Sequence, residues 1–380
     1  MAHVHITLVG GQPMPVYNGI VTTNPDKIIF IYSKQSQGQI NSIKSVINNN
    51  IEIVKSEPLS STNPQEILER AQQLAQTYKD DKISLNISSG LKSWSHLFGR
   101  VFDSKPNVDV IYIDQNNVVW NYRTMKQEQV VDFDLDVLFR LQGNPLIHFI
   151  PYSNYTKDDK KTMDQLIVAR KYNCGTFNKL TTLLSKEWEN KINNQKIGKF
   201  ELSEKEYIEW EKPDFVRLVL CTKKHGSKEF VLESPNAVNM AFHTGWFEYK
   251  IARMISHWRY AKDIRLNCIF PQHMKPDIRF PKNEIDIIVN MGTKLLFVEC
   301  KTQIANSTDI DKFRTAVKNY GGMGSKALFI TDNIMTDIQK EKCRESGIMT
   351  FSLQDNAIGL NKEQELFKLL ETELSNINTK

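Results

Sequence analysis

The chain has 380 residues, enough for two domains or three small ones, and its 40% hydrophobic and 24% charged content excludes a disordered or fibrous protein. Its formal net charge of +5 permits a polyanionic partner without requiring one. Since no uninterrupted apolar run approaches the roughly 18 residues that a membrane helix needs, we expect no membrane partner.

The five cysteines stand singly, with no C-x-x-C pair. This spacing argues against a zinc site and against a disulfide framework, and it indicates a reducing compartment. The amino terminus, "MAHVHITLVGGQPMP", lacks a basic region, so it predicts a first strand and not a signal peptide. We therefore expect a soluble, cytoplasmic protein.

Strand and helix patterns alternate through the first third of the chain. Five β-rich runs are predicted as strands, at 3–10, 27–33, 50–56, 82–88 and 108–114. Between the third and fourth runs, Asn63 is the predicted N-cap and Pro64 the first residue of an amphipathic helix. Because such alternation implies right-handed crossovers, residues 1–145 are predicted to form a Rossmann-like domain with a mostly parallel sheet.

The remainder is predicted to be a linker followed by a second domain. Gly, Pro, Asn and charged residues place the linker at 146–160. The second domain, 161–380, is divided into an extension of helices and short strands at 161–235 and a core at 236–380. Residues 234–263 carry one long helical pattern in which Gly245 is the weak point.

Three charged residues interrupt two apolar strand patterns in "NEIDIIVNMGTKLLFVECKTQ" (283–303): Asp286, Glu299 and Lys301. A buried charge is costly unless it is paired or holds a metal. Side chains alternate along a strand, so Glu299 and Lys301 share a face, and a hairpin loop with an even number of residues places Asp286 on it too. Two carboxylates and an ammonium group are therefore predicted to converge.

Converging carboxylates repel each other unless a cation lies between them. Mg²⁺ suits the site because it prefers oxygen ligands, and Lys301 would orient or deprotonate a metal-bound water and offset charge on a phosphate. The alternative is a surface hairpin with ordinary ion pairs, which are common and contribute little. The apolar flanks "IDIIV" and "LLFVEC" favour a central strand.

The order G-W-x-E, E-x-D, E-C-K and then a helix ending in "YGG" resembles the PD-(D/E)xK nuclease superfamily. Over nearly the whole chain the arrangement is similar to nucleases with an amino-terminal CRISPR-associated Rossmann fold (CARF) domain. The expected fold class is therefore α/β, with a Rossmann-like CARF domain and a carboxy-terminal restriction-endonuclease-like α/β domain.

The resemblance also implies roles for individual residues. Asp286 and Glu299 would be ligands of Mg²⁺ or Mn²⁺ together with the Cys300 carbonyl, and Lys301 would be the catalytic lysine. Glu248, in "GWFEYK", would be an auxiliary acid, against the alternative of a solvent-facing helix carboxylate. Two further residues are weaker candidates, a substitute ligand and a substrate contact: Glu284 and Gln303.

Two loops of the first domain have chemistry that suits a nucleotide ligand. In a Rossmann-like sheet the ligand lies at the carboxyl ends of the strands. There, free N–H groups at a helix start attract phosphate, and glycines let the backbone approach. The candidate ligand residues are Gly10, Gly11, Gln12, Pro13 and Met14 after the first strand, and Ser88, Ser89, Gly90, Leu91 and Lys92 after the fourth.

Neither G-x-G-x-x-G nor G-x-x-x-x-G-K-[ST] is present, which disfavours NAD and ATP chemistry. The alternative is that Ser-Ser-Gly is only a helix cap and Gly-Gly only a turn. The resemblance implies a cyclic oligoadenylate activator, with cyclic tetra-adenylate the expected ring. Because such a ring has two-fold symmetry, it fits the interface of a homodimer.

The sequence thus predicts a metal-dependent endonuclease that a cyclic oligoadenylate activates in type III CRISPR defence. Single-stranded DNA, single-stranded RNA and supercoiled duplex that becomes nicked all stay open as substrates. A sensor that degrades its own ligand is compatible with this prediction.

Two rival classes explain less of the sequence. A helical ribonuclease needs Arg and His separated by four to six residues, whereas Arg253 and His257 have three between them and Arg217 and His225 have seven. A cyclic-nucleotide-sensing transcriptional regulator, with a winged helix drawn from 161–196, leaves "ECK" unexplained.

Overall fold

The structure is a computed structural model of the chain. It describes residues 1–114, 118–128, 134–182, 186–242, 244–271, 281–292, 294–302, 308–321, 325–354 and 361–374. Side chains are described over the same ranges, except at 186–189 and 281–282. Among the helices in these ranges, none is both long and apolar enough to cross a membrane.

The amino-terminal domain is a seven-stranded sheet with helices on both faces. Its strands are β1 (His3–Val9), β2 (Lys27–Tyr32), β3 (Glu52–Val54), β4 (Lys82–Asn86), β5 (Val108–Ile113), β6 (Val119–Asn121) and β7 (Lys126–Glu128). They lie in the order β3-β2-β1-β4-β5-β6-β7. The first five pair in parallel, as predicted, and β6 and β7 extend the sheet as an antiparallel hairpin.

Four helices cover this sheet: α1 (Met14–Thr23), α2 (Gln37–Lys44), α3 (Pro64–Thr77) and α4 (Lys92–Phe102). Helices α3 and α4 bury their apolar stripes on one face, and α1 and α2 on the other. Helix α3 begins as the sequence predicts, because the Asn63 side chain accepts hydrogen bonds from the backbone N–H groups of Gln65 and Glu66.

The predicted linker differs from the structure. Helix α5 (Leu135–Leu141) precedes it, and residues 146–160 contain strand β8 (His148–Pro151), which pairs with the carboxy-terminal sheet. Strand β8 is the edge strand of that sheet. Gly, Pro and Asn in this segment therefore mark the turns around a short edge strand and not a free connector.

A four-stranded antiparallel sheet with three helices forms the extension of the second domain. The helices are α6 (Lys157–Tyr172), α7 (Cys174–Thr181) and α8 (Lys186–Asn194), and the strands are β9 (Ile197–Ser203), β10 (Glu206–Glu211), β11 (Phe215–Thr222) and β12 (Gly226–Glu233). The sequence predicts the helices and the short strands here. Gly226, at φ 74°, provides the left-handed residue of the β11–β12 turn.

The long helix predicted at 234–263 is two helices, α9 (Ala237–Ala241) and α10 (Gly245–Ser256). Thr244, at φ 68°, breaks the pattern between them. A Cβ on Gly245 would lie 2.0 Å from the Asn239 carbonyl oxygen, so only glycine lets α10 start this close to α9. The apolar spacing continues across the break, which is why periodicity alone predicts a single helix.

The carboxy-terminal sheet has six strands in the order β17-β16-β15-β14-β13-β8. The strands after α10 are β13 (Asp263–Pro271), β14 (Pro281–Asn290), β15 (Leu295–Lys301), β16 (Lys326–Thr331) and β17 (Ile348–Ser352). Three helices alternate with them: α11 (Thr308–Tyr320), α12 (Asp337–Glu345) and α13 (Lys362–Glu373). Strands β13, β14 and β15 are antiparallel, and β15, β16 and β17 are parallel.

Two apolar cores flank this sheet. The α10 core holds residues of α10 and α13 and the four-stranded extension, and it includes Val298 and Cys300 of β15. The α11 core holds residues of α5, α11 and α12, and it includes Leu295 and Phe297 of β15. Strand β15 is therefore apolar on both faces, which makes it a central strand as its sequence predicts.

Candidate active site

Asp286, Glu299 and Lys301 come together at one end of the β14–β15 hairpin. The antiparallel strands are joined by the four residues 291–294, an even number, and Asp286 therefore lies across from Glu299. Lys301 is two residues further along β15, on the same side as Glu299. The convergence expected from the alternation of side chains is present.

The three side chains form one polar cluster. Lys301 Nζ lies 2.7 Å from Glu299 Oε1 and 3.8 Å from Asp286 Oδ2. Asp286 Oδ2 also accepts a hydrogen bond of 2.6 Å from the Cys300 backbone N–H. Asp286 and Glu299 are only 13% and 14% exposed, whereas Lys301 is 35% exposed and reaches the cluster from its rim.

Burial shifts the pKa of both carboxylates upward. It raises the pKa of Glu299 to about 8, and the charge of Asp286 adds to this shift. Burial likewise raises the pKa of Asp286, against Lys301 and the Cys300 N–H, which lower it. Burial alone lowers the pKa of Lys301, but Asp286 and Glu299 outweigh it and raise the pKa, so the ammonium group stays charged.

Glu248 and Glu284 are in electrostatic reach of this cluster. Burial raises the pKa of Glu248 well above its ordinary value, and the charges of Asp286 and Glu284 raise it further. Glu284 is exposed at the rim, and its pKa is raised by desolvation and by Asp286. Glu248 is thus partly buried near Asp286 and is not a solvent-facing helix carboxylate.

Beside Asp286, the side chains of β13 and β14 switch from one face of the sheet to the other. Asn267, across from it on β13, has a left-handed backbone at φ 53°. In regular strands, residues two positions apart point to the same face of the sheet. Here the pair before Asn267, Leu266 with Ile287, lies in the α10 core. The pair after it, Cys268 with Ile285, lies in the α11 core. Asp286 therefore lies where the faces exchange, between Glu248 on α10 and Glu299 on the other side.

The donor set fits a hard divalent cation. Mg²⁺ is usually held by one or two carboxylates and retains several waters. Within the described ranges no three acidic, histidine or cysteine side chains cluster as a metal ion would need. The Cys300 thiol is buried in the α10 core, where burial and then Asp286 raise its pKa well above the ordinary value, so it is not a nucleophile. Gln303 lies outside the described residues.

The predicted ligand loops meet at the centre of the amino-terminal sheet. Strands β1 and β4 are neighbours there, and the strand order reverses between them. Such a reversal is where open α/β sheets bind ligands. Helices α1 and α4, which follow these strands, both start at this edge without a side-chain cap.

Gly10 and Gly90 hold the two loops in direct contact. A Cβ on Gly10 would lie 2.6 Å from the Gly90 nitrogen, and Gly90 itself has φ 85°. The Gly10 N–H donates to Ser89 Oγ at 3.0 Å, and that hydroxyl donates to the Gln12 carbonyl at 3.2 Å. Gly10, Gly90 and Ser89 therefore hold the backbones of the two loops together at this edge of the sheet.

Ser88 is a support for the loop. Its hydroxyl accepts from the Ile113 N–H at 2.7 Å and donates to Asn86 Oδ1 at 2.5 Å. Asn86 is fully buried, and its amide donates to the Pro15 carbonyl at 3.0 Å, which ties β4 to α1. The sequence prediction missed Asn86, although a polar residue at the end of an apolar strand is a usable signal.

The other predicted ligand residues differ in exposure. Four are exposed at the edge and lie outside the two cores: Gly11, Gln12, Leu91 and Lys92. Pro13 and Met14 are partly buried, and Met14 packs against both the α11 core and the core under α1 and α2. Met14 therefore joins the ligand edge to the carboxy-terminal domain.

Helix α5 is a second connection between the domains. Leu135, Leu138 and Phe139 lie in the α11 core, whereas Leu141 lies in the core under α1 and α2. Arg265 of β13, 9% exposed, binds Asp136 of α5 at 2.5 Å.

The same arginine contacts two other acids and a ring. It reaches Asp263 at 3.0 Å and Asp134 at 3.7 Å, and its guanidinium carbon lies 4.1 Å from the centre of the Phe149 ring. The sequence prediction assigned residues 135–141 to the first domain without a helix there, and it did not single out Arg265.

Comparisons with known proteins support the amino-terminal fold. Residues 4–137 match the Card1 CARF domain family. A comparison with curated protein sequences gave no match.

Solved structures extend the likeness to the whole chain. Can2 from Sulfobacillus thermosulfidooxidans, solved in complex with cyclic tetra-adenylate, has 14% identity and a TM-score of 0.64 over 98% of this chain and 99% of its own. The protein VC1899 from Vibrio cholerae has 17% identity and a TM-score of 0.70 over 99% and 98%.

A type III CRISPR defence DNA nuclease activated by cyclic oligoadenylate has 13% identity and a TM-score of 0.60, and the chain spans 52% of its length. At these identities the likeness concerns the fold. The chain therefore combines an amino-terminal domain of the CARF type with a further carboxy-terminal α/β domain, in the fold that Can2 has.

Proposed function

We propose that this chain is a metal-dependent endonuclease that a cyclic oligoadenylate activates in type III CRISPR antiviral defence. The observation that carries the proposal is the buried cluster of Asp286, Glu299 and Lys301 on two central strands. The CARF match and the fold shared with Can2 support the sensing part.

Asp286, Glu299 and the Cys300 carbonyl would hold Mg²⁺ or Mn²⁺. When bound, such an ion polarises a phosphoryl oxygen and lowers the pKa of a coordinated water. Lys301 is the cation that the chain itself supplies beside the reacting phosphate, and its raised pKa suits a hydrogen-bond donor better than a base. Glu248, on α10, would act as an auxiliary acid that influences the ionisation of the cluster through its own charge.

Cyclic tetra-adenylate would bind at the carboxyl ends of β1 and β4, across a homodimer. Gly11, Gln12 and Lys92 are exposed there, and Lys92 offers a positive charge to a phosphate. The ring's two-fold symmetry suits an interface in which both protomers present the same edge. Met14 and α5 would transmit the conformational change caused by ligand binding to the α11 core.

The regulator alternative is less well supported. It gives no role to two carboxylates that are desolvated beside a lysine, an arrangement that costs free energy and is typical of catalytic sites. The extension contains a four-stranded antiparallel sheet between its helices and β13, which adds no support for a winged helix.

One cleavage experiment tests the proposal. Labelled single-stranded DNA, single-stranded RNA and supercoiled plasmid are incubated with the chain and Mn²⁺, with and without cyclic tetra-adenylate. We expect cleavage of at least one substrate only when the cyclic nucleotide is present. Absence of cleavage of all three, with the cyclic nucleotide shown to bind, would contradict the nuclease assignment and favour the regulator.

A further inference from the structure

A basic cavity lies directly beside the catalytic strand end. Its volume is about 270 Å³, and it is enclosed by α6, α7, the start of α10 and the residue after β15. The residues that line it include Arg170, Lys179, Thr182, Thr244, Trp246 and Thr302. Thr302 directly follows Lys301 in the chain, so the cavity lies beside the end of β15.

Arg170 is the central charge of this cavity. It forms an ion pair with Asp332 in which the two side chains are 19% and 12% exposed, and its guanidinium carbon lies 5.4 Å from the centre of the Trp246 ring. Its Nε is buried and has no hydrogen-bond partner in the described part of the chain. A buried donor without a partner is costly, so the guanidinium of Arg170 is incompletely satisfied by the residues around it.

Positive charge exceeds negative charge in the network around Arg170. Lys250 is partly buried and interacts with Asp332, Lys171 and Arg170. Among these four residues three cations therefore face one carboxylate. Lys179 adds a further exposed ammonium group at the cavity. An anion in the cavity would offset the excess, whereas a neutral or cationic ligand would not.

The backbone beside the cavity is strained. Thr244 lines it with φ 68°, a conformation that is a clear outlier for a β-branched residue. Such strain persists where the surrounding structure imposes it, and it concentrates at ligand sites. The strain thus agrees with a binding role for the cavity.

Backbone hydrogen bonds connect the residues beside the cavity to the strand end that carries Lys301. The Asp332 N–H donates to the Lys301 carbonyl at 3.1 Å, and the Asn333 N–H donates to the Thr302 carbonyl at 3.3 Å. Arg170, by pairing with Asp332, therefore also acts on the strand end that carries Lys301. A larger cleft of about 620 Å³ lies between α12, β17 and α13, and none of the catalytic residues lines it.

We propose that this cavity binds a backbone phosphate of the substrate strand next to the phosphate that is cleaved, with Arg170 and Lys179 as its ligands. The proposal rests on the nuclease function proposed above and assigns it a substrate-positioning subsite. Asp332 would compete with that phosphate for Arg170, which holds the arginine in place when no strand is bound.

The test measures strand binding apart from cleavage. Fluorescent single-stranded DNA and RNA 20-mers are titrated against the Lys301→Ala protein in chelator with cyclic tetra-adenylate, at several salt concentrations. Arg170→Gln and Lys179→Gln are added singly to this background, with Lys205→Gln on the exposed β9–β10 turn as the matched control. We expect the two cavity variants to weaken binding about fivefold or more and to reduce the salt slope by about 0.7 for one lost phosphate contact.

A fourth variant separates binding from support of the fold. Asp332→Asn removes the competing carboxylate, so we expect it to tighten strand binding, opposite to Arg170→Gln. If the two variants changed binding in the same direction, the pair would be structural and the subsite would be refuted. Equal strand binding by Lys179→Gln and Lys205→Gln would refute the subsite as well.

The outcomes also distinguish the subsite from the nuclease function on which it rests. Unchanged strand binding by Arg170→Gln, in a protein whose parent cleaves, would refute the subsite alone. A wild type that neither binds nor cleaves any strand would refute the nuclease proposal itself.

Discussion

Lys301 Nζ lies 2.7 Å from Glu299 Oε1. Both residues lie at the end of β15, where polar side chains follow its apolar ones. Asp286 reaches the same ammonium group from the neighbouring strand at 3.8 Å. The lysine therefore offsets two desolvated carboxylates at once. Removal of the lysine would leave two carboxylates without their cation in a largely buried site.

Substitution of Glu299 by Gln, or of Lys301 by Ala, should reduce cleavage by at least about 100-fold, because each removes a group from the reacting centre. Binding of cyclic tetra-adenylate should not change, since the ligand edge is in the other domain. Cleavage rates and ligand titrations of each variant check this. Lys294→Ala, at the opposite end of the same hairpin, is the control and should cleave like the wild type. A variant at 299 or 301 that cleaves at the wild-type rate would mean that these are not the catalytic residues.

Removal of divalent metal should abolish cleavage reversibly. The donor set of two carboxylates and a carbonyl suits Mg²⁺ or Mn²⁺ and leaves positions for water. We expect no product in excess EDTA and full recovery when Mn²⁺ or Mg²⁺ is restored above the chelator concentration. Continued cleavage in EDTA by metal-stripped protein would contradict the metal-dependent mechanism.

Local patterns predict the elements that carry the site. Alternation of apolar residues on β15 places Glu299 and Lys301 together and Cys300 away from them, and the even loop places Asp286 with them. Asn63 and Pro64 predict the start of α3 because a cap is a local hydrogen-bonding arrangement. These features depend on neighbours in the chain, so one sequence contains the information.

Other features depend on contacts between distant segments, and the sequence does not reveal them. The break at Thr244 interrupts a pattern that stays apolar on both sides of it. The left-handed Asn267 exchanges the faces of β13 and β14 without a change in composition. Arg265 is partnered by acids 129 residues away, at Asp136, and two residues away, at Asp263, and only the folded chain makes that trio recognisable.

Replacement of Lys92 by Glu should raise the concentration of cyclic tetra-adenylate needed for half-maximal cleavage, because a repulsive charge replaces an attractive one at the start of α4. The maximal rate at saturating ligand should hardly change, since the catalytic residues are untouched. Titration of ligand against cleavage rate measures both quantities. Lys79→Glu, an exposed lysine after α3 at the other edge of the sheet, makes the same charge change and should behave like the wild type. Superimposable curves for Lys92→Glu and wild type would show that Lys92 does not contact the ligand.

Replacement of Asp136 by Ala should weaken the coupling between the domains. Arg265 would keep Asp263 but lose its closest contact on α5. Single substitutions along such connections change coupling by about 0.5–2 kcal/mol. We therefore expect cleavage at saturating ligand to fall about 2- to 30-fold, with directly measured ligand affinity unchanged. Asp158→Ala, which removes an exposed ion pair on α6, is the matched control. Equal activation of Asp136→Ala and Asp158→Ala by the ligand would show that the α5 contact does not couple the two domains.

The stability of the amino-terminal domain should depend on pH through His5. Burial lowers the pKa of His5 to about 3, and the charge of His3 adds to this shift. Nδ1 lies 3.0 Å from the Thr23 hydroxyl, whereas Nε2 is buried with no partner among the described residues, so a proton there would be unpaired. The folded chain therefore keeps His5 neutral where the unfolded chain protonates it.

The sign follows from proton linkage. Between the unfolded pKa of 6.5 and the folded value of about 3, the unfolded state binds more protons. The free energy of unfolding therefore falls with decreasing pH, by about 1.4 kcal/mol per unit. Urea unfolding of the amino-terminal domain at pH 7.5 and 5.0 should show a loss of about 2 kcal/mol from this group in the wild type. His5→Asn, which keeps a partner for Thr23 but cannot titrate, should lack that loss, and His96→Asn on the exposed side of α4 should retain it. An equal loss in His5→Asn and His96→Asn would show that His5 does not set the pH dependence.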